Sequence, residues 1–432
     1  MMKYFVLILL IVTFQASNAE SYSENTDTNR QQLRDFLKKY KFRPLRSETF
    51  EITKKYILGQ ALFFDPILST NNDISCATCH LVRLGTSDGI DKSIGSGGEG
   101  IGKGRKEGNI EKRHHRNSLS LWNKDNKTVT SMFLDGRVEV IDPVARDFRS
   151  PLEKYSPKSI ENLLALQALI PLVNTGEMFS KNCNGKNNCF EPNKASKKDE
   201  ILKGILEKII GDTNKPPQNK VQKKYRRLFN LAYNNIALED IDYGHIGNAI
   251  AHFEEIAFAT RDSNWDKYIK GEEEALSDSQ VKGALLFYGE KGCSVCHNGP
   301  VFSDYSFHSL GIVSYRENEQ PDYGRYDVTK IESDKYKFRT PSLRNVTLTA
   351  PYFHDGSSND LKIAIKRHYQ YLDKESYNFS EILVSKNSLG DKDIYYIVSF
   401  LKALEDSASI YLPFIIPDTV PSGLAVDAIL KK

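Results

Sequence analysis

The pattern Cys-x-x-Cys-His occurs twice in this chain, at residues 76–80 and at residues 293–297. Two thiols three positions apart on one turn can each add to a vinyl group of a haem, and the adjacent imidazole then reaches the iron. A single pattern also occurs in zinc and dithiol sites, but two in one chain favour c-type haem. The sequence therefore predicts two covalently bound haem c groups, one held by Cys76, Cys79 and His80 and one by Cys293, Cys296 and His297.

The first 19 residues have the composition of an export signal. Lys3 precedes an apolar run over about residues 4–14, and Ser17 and Ala19 stand where signal peptidase reads small side chains. The run is shorter than the ~20 residues that cross a bilayer, and no later segment is long enough. We expect cleavage near Ala19 and a periplasmic protein without a membrane span; an uncleaved anchor is the alternative.

The net charge bears on the class of partner that the chain binds, and the two remaining cysteines bear on disulfide formation. The 432 residues include 59 basic and 56 acidic side chains, a formal net charge of +3, which gives no electrostatic reason to bind nucleic acid. Cys183 and Cys189 lie in a polar stretch of an exported chain, where oxidation is the rule. We expect them to form a local disulfide without a chemical role.

Helical patterns dominate the chain. They precede both motifs, at residues 52–64 and 278–288, and recur at 30–42, 157–170, 245–260, 360–370 and 391–404, whereas strand patterns are sparse. Residues 184–224 are rich in Lys and Asn and contain Pro216 and Pro217, which predicts a solvated linker. The predicted fold class is mainly α with little β: two c-type cytochrome domains, residues 20–225 and 226–432, packed around two haems.

The axial ligands of the two irons separate an electron carrier from an enzyme. A carrier has two six-coordinate irons, whereas an enzyme needs one iron with a face open to substrate. After residues 1–19 the chain contains only Met132 and Met178, both in its first half. The second haem therefore takes its sixth ligand from another side chain of its domain, for which the candidates are the tyrosines, His308, His354 and His368.

Six further segments of the chain match a known family of proteins. They are LFFD at 62–65, RNSLSLWN at 116–123, FLDGR at 133–137, EM at 177–178, RTPSLRN at 339–345 and APYFHDG at 350–356. These segments resemble the bacterial dihaem cytochrome c peroxidase family, and more closely its MauG-like branch. The resemblance runs from about residue 58 to residue 427. It implies two helical cytochrome c domains, with a peroxide-reacting haem in the first, an electron-transfer haem in the second and a calcium ion commonly bound between them.

The resemblance implies roles for individual residues of the first domain. Glu177 matches the acidic residue over the open face of the peroxidatic haem, where a base must take a proton from peroxide and return it to the departing oxygen. Gln167 and Pro171 match distal residues of the MauG-like branch. Because positions four apart share a helix face, a helix ending at Pro171 directs Gln167 and the following loop toward one pocket.

The sixth ligand of the second haem is expected at His368. The family's peroxidases place a Met at this position and its MauG-like members a Tyr, and a slip of one residue would substitute Tyr369 for His368. Either donor lowers the potential of the haem relative to a Met ligand. A low potential suits oxidation of a protein better than rapid turnover with a high-potential cytochrome.

Two departures from the family affect the first haem. Leu134 stands where members usually have the Trp that bridges the haems, and Trp122 is the substitute considered for it. Members that need reductive activation hold a ligand His in the first-domain loop, but no His lies between residues 81 and 113. We therefore expect a five-coordinate iron without activation. His114 and His115 are the only histidines between His80 and His245, and because Arg113 and Arg116 adjoin them, the bland interpretation is a charged surface turn.

The resemblance also implies a calcium ion. Asn117 matches a side-chain ligand, and the backbone carbonyls near Arg339 and Pro341 match the others. Amide and carbonyl oxygens suit this hard cation.

Three functions remain open at this point. The first is a peroxidase that reduces hydrogen peroxide with electrons from a small cytochrome or copper protein. The second is a MauG-like enzyme that uses the peroxide-oxidised haem to oxidise a Trp side chain of a partner protein. The third is a dihaem electron carrier without catalysis. The missing Met ligand favours the second function, whereas the abundance of peroxidases in the family favours the first. We expect the first function, with the other two as alternatives.

Overall fold

A computed structural model describes residues 27–39, 42, 44–45, 51–145, 147–181, 197–289, 291–312, 321–370, 389–406, 411 and 414–426. The predicted export signal and the predicted Cys183–Cys189 disulfide lie outside these residues. No helix within these ranges is long and apolar enough to cross a bilayer.

Helices form most of the regular structure in the described ranges. They are α1 (27–39), α2 (Lys54–Phe64), α3 (Cys76–Cys79), α4 (Leu163–Leu169), α5 (Lys198–Ile210), α6 (Lys220–Ala232), α7 (Tyr243–Ala257), α8 (Asn264–Lys270), α9 (Asp278–Tyr288), α10 (Tyr326–Thr329), α11 (Leu361–Gln370) and α12 (Asp391–Ala403). Strands are short: β1 (Ser131–Met132), β2 (Val138–Asp142) and β3 (Asp147–Arg149) form an antiparallel sheet in that order, and β4 (Phe307–His308) pairs with β5 (Phe338–Arg339). The prediction of a mainly α fold with little β is confirmed.

The helix before each Cys-x-x-Cys-His motif crosses a later helix in close contact. A Cβ atom on Gly59 of α2 would collide with the backbone oxygen of Ala249 in α7. A Cβ atom on Gly283 of α9 would collide in the same way with Tyr396 in α12. Because only glycine permits this approach of two backbones, both motifs follow the same local architecture.

Two hydrophobic cores divide the described residues. The first contains the apolar faces of α2, α4, α5, α6 and α7, and it extends to Ile415 and Val420 near the C-terminus. The second is built on α8, α9 and α12, and Phe400 makes aromatic contacts with both Trp265 and Phe287. Leu33 of α1 is buried in this second core, although α1 precedes the first core in the chain.

The predicted domain boundary stays a prediction, and the described helices show what lies on either side of it. Residues 225 and 226 both lie in α6, and α6 and α7 both pack in the first core. The described part of the predicted linker is helical as well, because Ile201, Ile205 and Ile209 recur on one face of α5 and bury it. Within the described part, Lys203, Asn214 and Lys215 are exposed while the isoleucines are buried, so composition there was a poor guide to structure.

Candidate haem and active site

The first motif presents one imidazole nitrogen for metal binding. Cys76 and Cys79 begin and end α3, and His80 follows as its C-terminal cap. Nδ1 of His80 lies 3.0 Å from the carbonyl oxygen of Thr86, an acceptor, so Nδ1 carries the proton and Nε2 is left for an iron. Burial lowers the pKa of His80, which keeps the ring neutral as a ligand must be.

A cavity of about 1100 Å³, its mouth included, opens beside this motif. The site residues predicted for the first domain all line it: Cys76, Cys79, His80, Gln167, Pro171 and Glu177. Gln167 lies on α4, and Pro171 starts the short 3-10 helix Pro171–Val173 that follows α4. The structure therefore brings the motif and the predicted distal residues together at one cavity.

Backbone contacts hold Glu177 in place. The amide of Ser96 donates a hydrogen bond of 2.8 Å to the carbonyl oxygen of Glu177. A Cβ atom on Gly95 would collide with the backbone oxygens of Gly176 and Glu177. The loop that contains Gly95 and Ser96 thus packs directly against the Glu177 segment and orients it toward the cavity.

The carboxylate of Glu177 is partly buried, with its side chain 19% exposed, and it is ionised. Nδ2 of Asn174 donates a hydrogen bond of 2.6 Å to Oε1, and Nε2 of His114 lies 3.0 Å from the same oxygen. Burial alone would raise the pKa of Glu177, but His114, Arg137 and Asn174 outweigh it and lower the pKa to about 2. At neutral pH this group is therefore a proton acceptor.

Several buried polar atoms on the cavity wall lack a partner. Oε1 of Gln167, Oδ1 of Asn117 and Oε2 of Glu254 make no hydrogen bond within the described residues. Buried polar atoms are rarely left unsatisfied in proteins, so such atoms around one cavity indicate a bound group. Together with the free Nε2 of His80, this donor set fits a haem with space on its far side.

Glu254 and Lys124 were not predicted from the sequence. Both line the cavity, and burial raises the pKa of Glu254 to about 8, an effect that Lys124 partly offsets. Burial also lowers the pKa of Lys124 to about 7. Glu254 lies on α7, which the sequence pattern identifies only as a helix, so no local signal distinguished it.

The interpretation of His114 as part of a surface turn was wrong. Its side chain is only 11% exposed and faces Glu177 across the cavity wall. The neighbouring arginines that suggested a charged surface are both engaged elsewhere: Arg113 pairs with Asp91, and Arg116 pairs with Asp322. The available signal was that His114 and His115 are the only histidines between His80 and His245.

The second motif faces a second histidine. Nδ1 of His297 lies 3.1 Å from the carbonyl oxygen of Phe302, and Nδ1 of His368 lies 2.8 Å from that of Ala364, which leaves both Nε2 atoms for a metal. The two ring centroids are 6.5 Å apart. This gap accommodates an iron with metal–nitrogen bonds of about 2 Å on either side. Burial and the proximity of His368 lower the pKa of His297 to about 4, so the ring is neutral.

Among the other candidate ligands, Tyr369 and His308 have hydrogen-bond partners elsewhere, whereas Nε2 of His354 has none within the described residues. The hydroxyl of Tyr369 donates a hydrogen bond of 2.6 Å to the carbonyl oxygen of Lys291. Nε2 of His308 lies 2.8 Å from Asp304, and the ring of His354 stacks on Phe338 with centroids 4.0 Å apart. Asp304 and His308 also form, with Cys296, a group able to bind a metal, but the motif assigns Cys296 to haem.

The predicted calcium residues are partly brought together. Asn117 and Arg339 line the same cavity, and Nδ2 of Asn117 donates a hydrogen bond of 2.5 Å to the carbonyl oxygen of Pro351. That bond leaves Oδ1 free for a cation. Pro341 is exposed.

The residues expected between the haems have different environments. Leu134 lines the cavity and accepts a hydrogen bond of 2.7 Å at its carbonyl oxygen from the amide of Arg339. Trp122 is buried in the first core against Phe258, and its Nε1 donates to the carbonyl oxygen of Gly85.

Comparison with known proteins decides the family. A sequence model described as di-haem cytochrome c peroxidase matches residues 53–274. The chain is 30% identical over 375 residues to cytochrome c551 peroxidase of Nitrosomonas europaea, covering 87% of each protein. The chain belongs to the di-haem cytochrome c peroxidase family. It is therefore an oxidoreductase that works with haem.

Relatives from both branches of the di-haem cytochrome c peroxidase family resemble this chain. It is 26% identical over 365 residues to the methylamine utilization protein MauG of Methylorubrum extorquens, covering 83% of this chain and 81% of MauG. The crystal structure of a MauG-like protein associated with microbial copper homeostasis superimposes with a TM-score of 0.60 at 25% identity, covering 87% of this chain and 96% of that one.

Proposed function

We propose that this chain is an exported dihaem c-type peroxidase that reduces hydrogen peroxide at the cavity beside His80. Electrons reach that cavity through the second haem, held at His297. The observation that carries this proposal is the ionised carboxylate of Glu177, buried in the same cavity as the free Nε2 of His80. An electron carrier without catalysis has no use for a buried base at this position.

Residues of the chain itself transfer the proton that moves when the O–O bond of peroxide is cleaved. When bound, the haem iron supplies the electrons for cleavage of the O–O bond. Glu177 takes a proton from one peroxide oxygen and returns it to the other, which leaves as water. The amide of Gln167, whose Oε1 lacks a partner, orients peroxide in the cavity, and Pro171 shapes the wall beside it.

The second site is suited to electron transfer rather than to a reaction with peroxide. His297 and His368 face each other with ring centroids 6.5 Å apart, so both would hold the iron of a haem, which would supply electron transfer there. Val295, between the two cysteines of the motif, is 48% exposed, so this attachment segment reaches the surface. A small cytochrome or copper protein delivers electrons there.

Oxidation of a protein partner is the second candidate function. It is supported by the ligand at the second site, which is His368 rather than a methionine. A histidine ligand lowers the potential of that haem, which weakens the driving force for electron uptake from a high-potential cytochrome. Slow turnover with reduced cytochrome c and fast oxidation of a Trp side chain would favour this function over the peroxidase.

The further assignments belong to the same proposal. Residues 1–19 direct export to the periplasm and are removed, and both haems are attached through thioether bonds to the motif cysteines. Each haem has its own cytochrome domain, with the change between domains after α7, where the hydrophobic core changes. A calcium ion takes Oδ1 of Asn117 and backbone carbonyls near Arg339 and Pro341 as ligands.

The substitution Glu177→Gln tests the proposed function. The amide keeps the size of the side chain but cannot accept the proton, so we expect the reaction with peroxide to slow by about 10²-fold or more. Stopped-flow absorption measures this rate, and electron paramagnetic resonance of the ferric protein checks that the haems are unchanged. Glu332→Gln is the control, because Glu332 is an exposed glutamate whose side chain is 73% accessible. Equal peroxide rates in Glu177→Gln and wild type would refute the proposal.

A further inference from the structure

We propose that His114 is the proton-transfer partner of Glu177. It is a positioning residue that passes protons from solvent to the carboxylate, rather than a group that touches peroxide. This inference rests on the proposed function, because it assigns a source for the protons that Glu177 delivers.

The contact between the two side chains is close and buried. Nε2 of His114 lies 3.0 Å from Oε1 of Glu177, with side chains 11% and 19% exposed. Within the described residues, Nε2 of His114 makes no hydrogen bond with good geometry. Nε2 and Oε1 of Glu177 are therefore at hydrogen-bond distance, but their orientation is not that of a hydrogen bond. Catalytic hydrogen bonds are often poorly aligned before substrate binds and tighten in the complex.

The backbone of Arg116 holds the His114 ring in either protonation state. Nδ1 of His114 lies 3.2 Å from the amide nitrogen of Arg116 and 3.0 Å from its carbonyl oxygen. In the neutral ring, Nδ1 accepts from the amide and the proton is on Nε2, toward Glu177. In the cation, Nδ1–H donates to the carbonyl while Nε2–H still faces Glu177. The ring can therefore gain and lose a proton without turning.

The stoichiometry of the reaction requires a proton source besides Glu177. Reduction of one hydrogen peroxide to two waters consumes two electrons, which the donor supplies, and two protons, which come from solvent. Glu177 is ionised at neutral pH and stores no proton between turnovers. An imidazole can accept a proton on one ring nitrogen and release one from the other, so His114, in contact with Glu177, is the side chain placed to deliver protons.

The surroundings of His114 connect the cavity wall to the surface. The charged or titratable groups that face it are Glu177 and Asp88 from neighbouring loops and His115 and Arg116 from its own segment, with Arg137 beside Glu177. The ring of His115 lies 5.0 Å from that of His114, and its side chain is 44% exposed. Solvent thus lies within one ring of His114 and supplies its protons without His115 taking part.

The test compares three variants of the holoenzyme. His114→Ala removes the ring, His114→Gln keeps a hydrogen-bonding amide without a titrating group, and His115→Ala is the matched control on the adjacent histidine. We expect both His114 variants to react with peroxide about 10²-fold more slowly, and added imidazole to restore part of the rate of His114→Ala. His115→Ala should retain the wild-type rate, because solvent reaches His114 once the exposed ring is gone.

A second readout does not depend on turnover. Infrared spectroscopy follows the protonated carboxyl band of Glu177, identified by its absence in Glu177→Gln, as the pH falls. Loss of the neighbouring ring should raise the pKa of Glu177 by about 1–3 units in His114→Ala.

The outcomes separate this inference from the proposed function. If Glu177→Gln slows the reaction but the His114 variants do not, His114 plays no part and the peroxidase assignment stands. If His114→Gln reacts with peroxide as fast as wild type, a hydrogen bond to Glu177 is sufficient for the reaction. That result would overturn the proposal that His114 transfers protons. A low-spin ferric signal of the first haem that is lost in His114→Ala would make His114 an iron ligand instead. A further outcome is that the His114 variants react slowly while imidazole restores no rate and the carboxyl band of Glu177 does not change. That outcome would overturn proton transfer and leave His114 a structural role only.

Discussion

The substitution Asp322→Asn should destabilise the fold, because Asp322 completes a buried ion-pair network. Nε and one terminal nitrogen of Arg116 lie 2.6 Å and 2.7 Å from the two oxygens of Asp322, and the other terminal nitrogen lies 2.6 Å from Asp135. The side chains of Arg116, Asp322 and Asp135 are 4%, 6% and 5% exposed. The network ties the wall of the peroxidatic cavity to the segment that leads into α10.

The expected loss is about 3 kcal/mol of unfolding free energy. Removing one partner of a buried ion pair costs about 3–5 kcal/mol, because the other charge is left uncompensated. The lower end applies here, since Asn keeps one hydrogen-bond acceptor and Asp135 still balances part of the charge on Arg116. A loss of this size lowers the ratio of folded to unfolded protein by about two orders of magnitude.

The pH dependence has a definite sign. Burial alone would raise the pKa of Asp322, but the hydrogen bonds and charge of Arg116 outweigh it and hold the pKa far below its ordinary value. The stabilisation is therefore complete above the unfolded pKa of about 3.9 and is lost as the pH falls toward the folded pKa. The difference between variant and wild type should be full at pH 7 and shrink below about pH 4.

Urea unfolding of the holoprotein, followed by circular dichroism, measures the difference. The control is Asp91→Asn, which removes a pair of similar length, 2.7 Å to Arg113, with side chains 33% and 29% exposed. A pair with this exposure should contribute about 0.2–1 kcal/mol. Equal losses in the two variants, or a loss below about 0.5 kcal/mol in Asp322→Asn, would contradict the reasoning from burial.

Two further predictions concern bound groups. His368→Met should raise the reduction potential of the second haem in a redox titration, because a Met ligand favours ferrous iron. Tyr369→Phe should leave that potential unchanged. A shift in Tyr369→Phe alone would show that Tyr369, not His368, is the ligand. Purified protein should contain one calcium ion by elemental analysis and Asn117→Ala none, since Oδ1 of Asn117 is the predicted side-chain ligand; equal contents would exclude Asn117.

Local chemistry explains why the haem sites could be predicted from sequence. The two cysteines and the histidine of each motif lie within five consecutive residues, so their relation does not depend on the rest of the fold. The helices before the motifs were also predictable, because each buries one face and shows it as a period of 3.6 residues. The bounds of α9 agree with the prediction, and those of α2 differ only at its start.

The positions that composition misjudged are those where charged residues conceal a buried face. The lysines of residues 198–210 predicted a solvated segment, but the isoleucines of α5 are buried in the first core. The flanking Arg113 and Arg116 suggested a surface position for His114. Both arginines form ion pairs with other carboxylates, and the His114 ring faces the cavity. The identity of these partners depends on contacts distant in sequence, which a local pattern does not contain.

The sequence by itself predicted two haem-attachment motifs and, through its resemblance to the family, a carboxylate and an amide near the first of them. Only the tertiary structure decided which side chains meet. His368 and Tyr369 are neighbours on α11 and point about 100° apart, so the docking of that helix selects the one that faces His297. Glu177 and His114 belong to separate loops, and a contact between loops forms only when the core beneath them has packed.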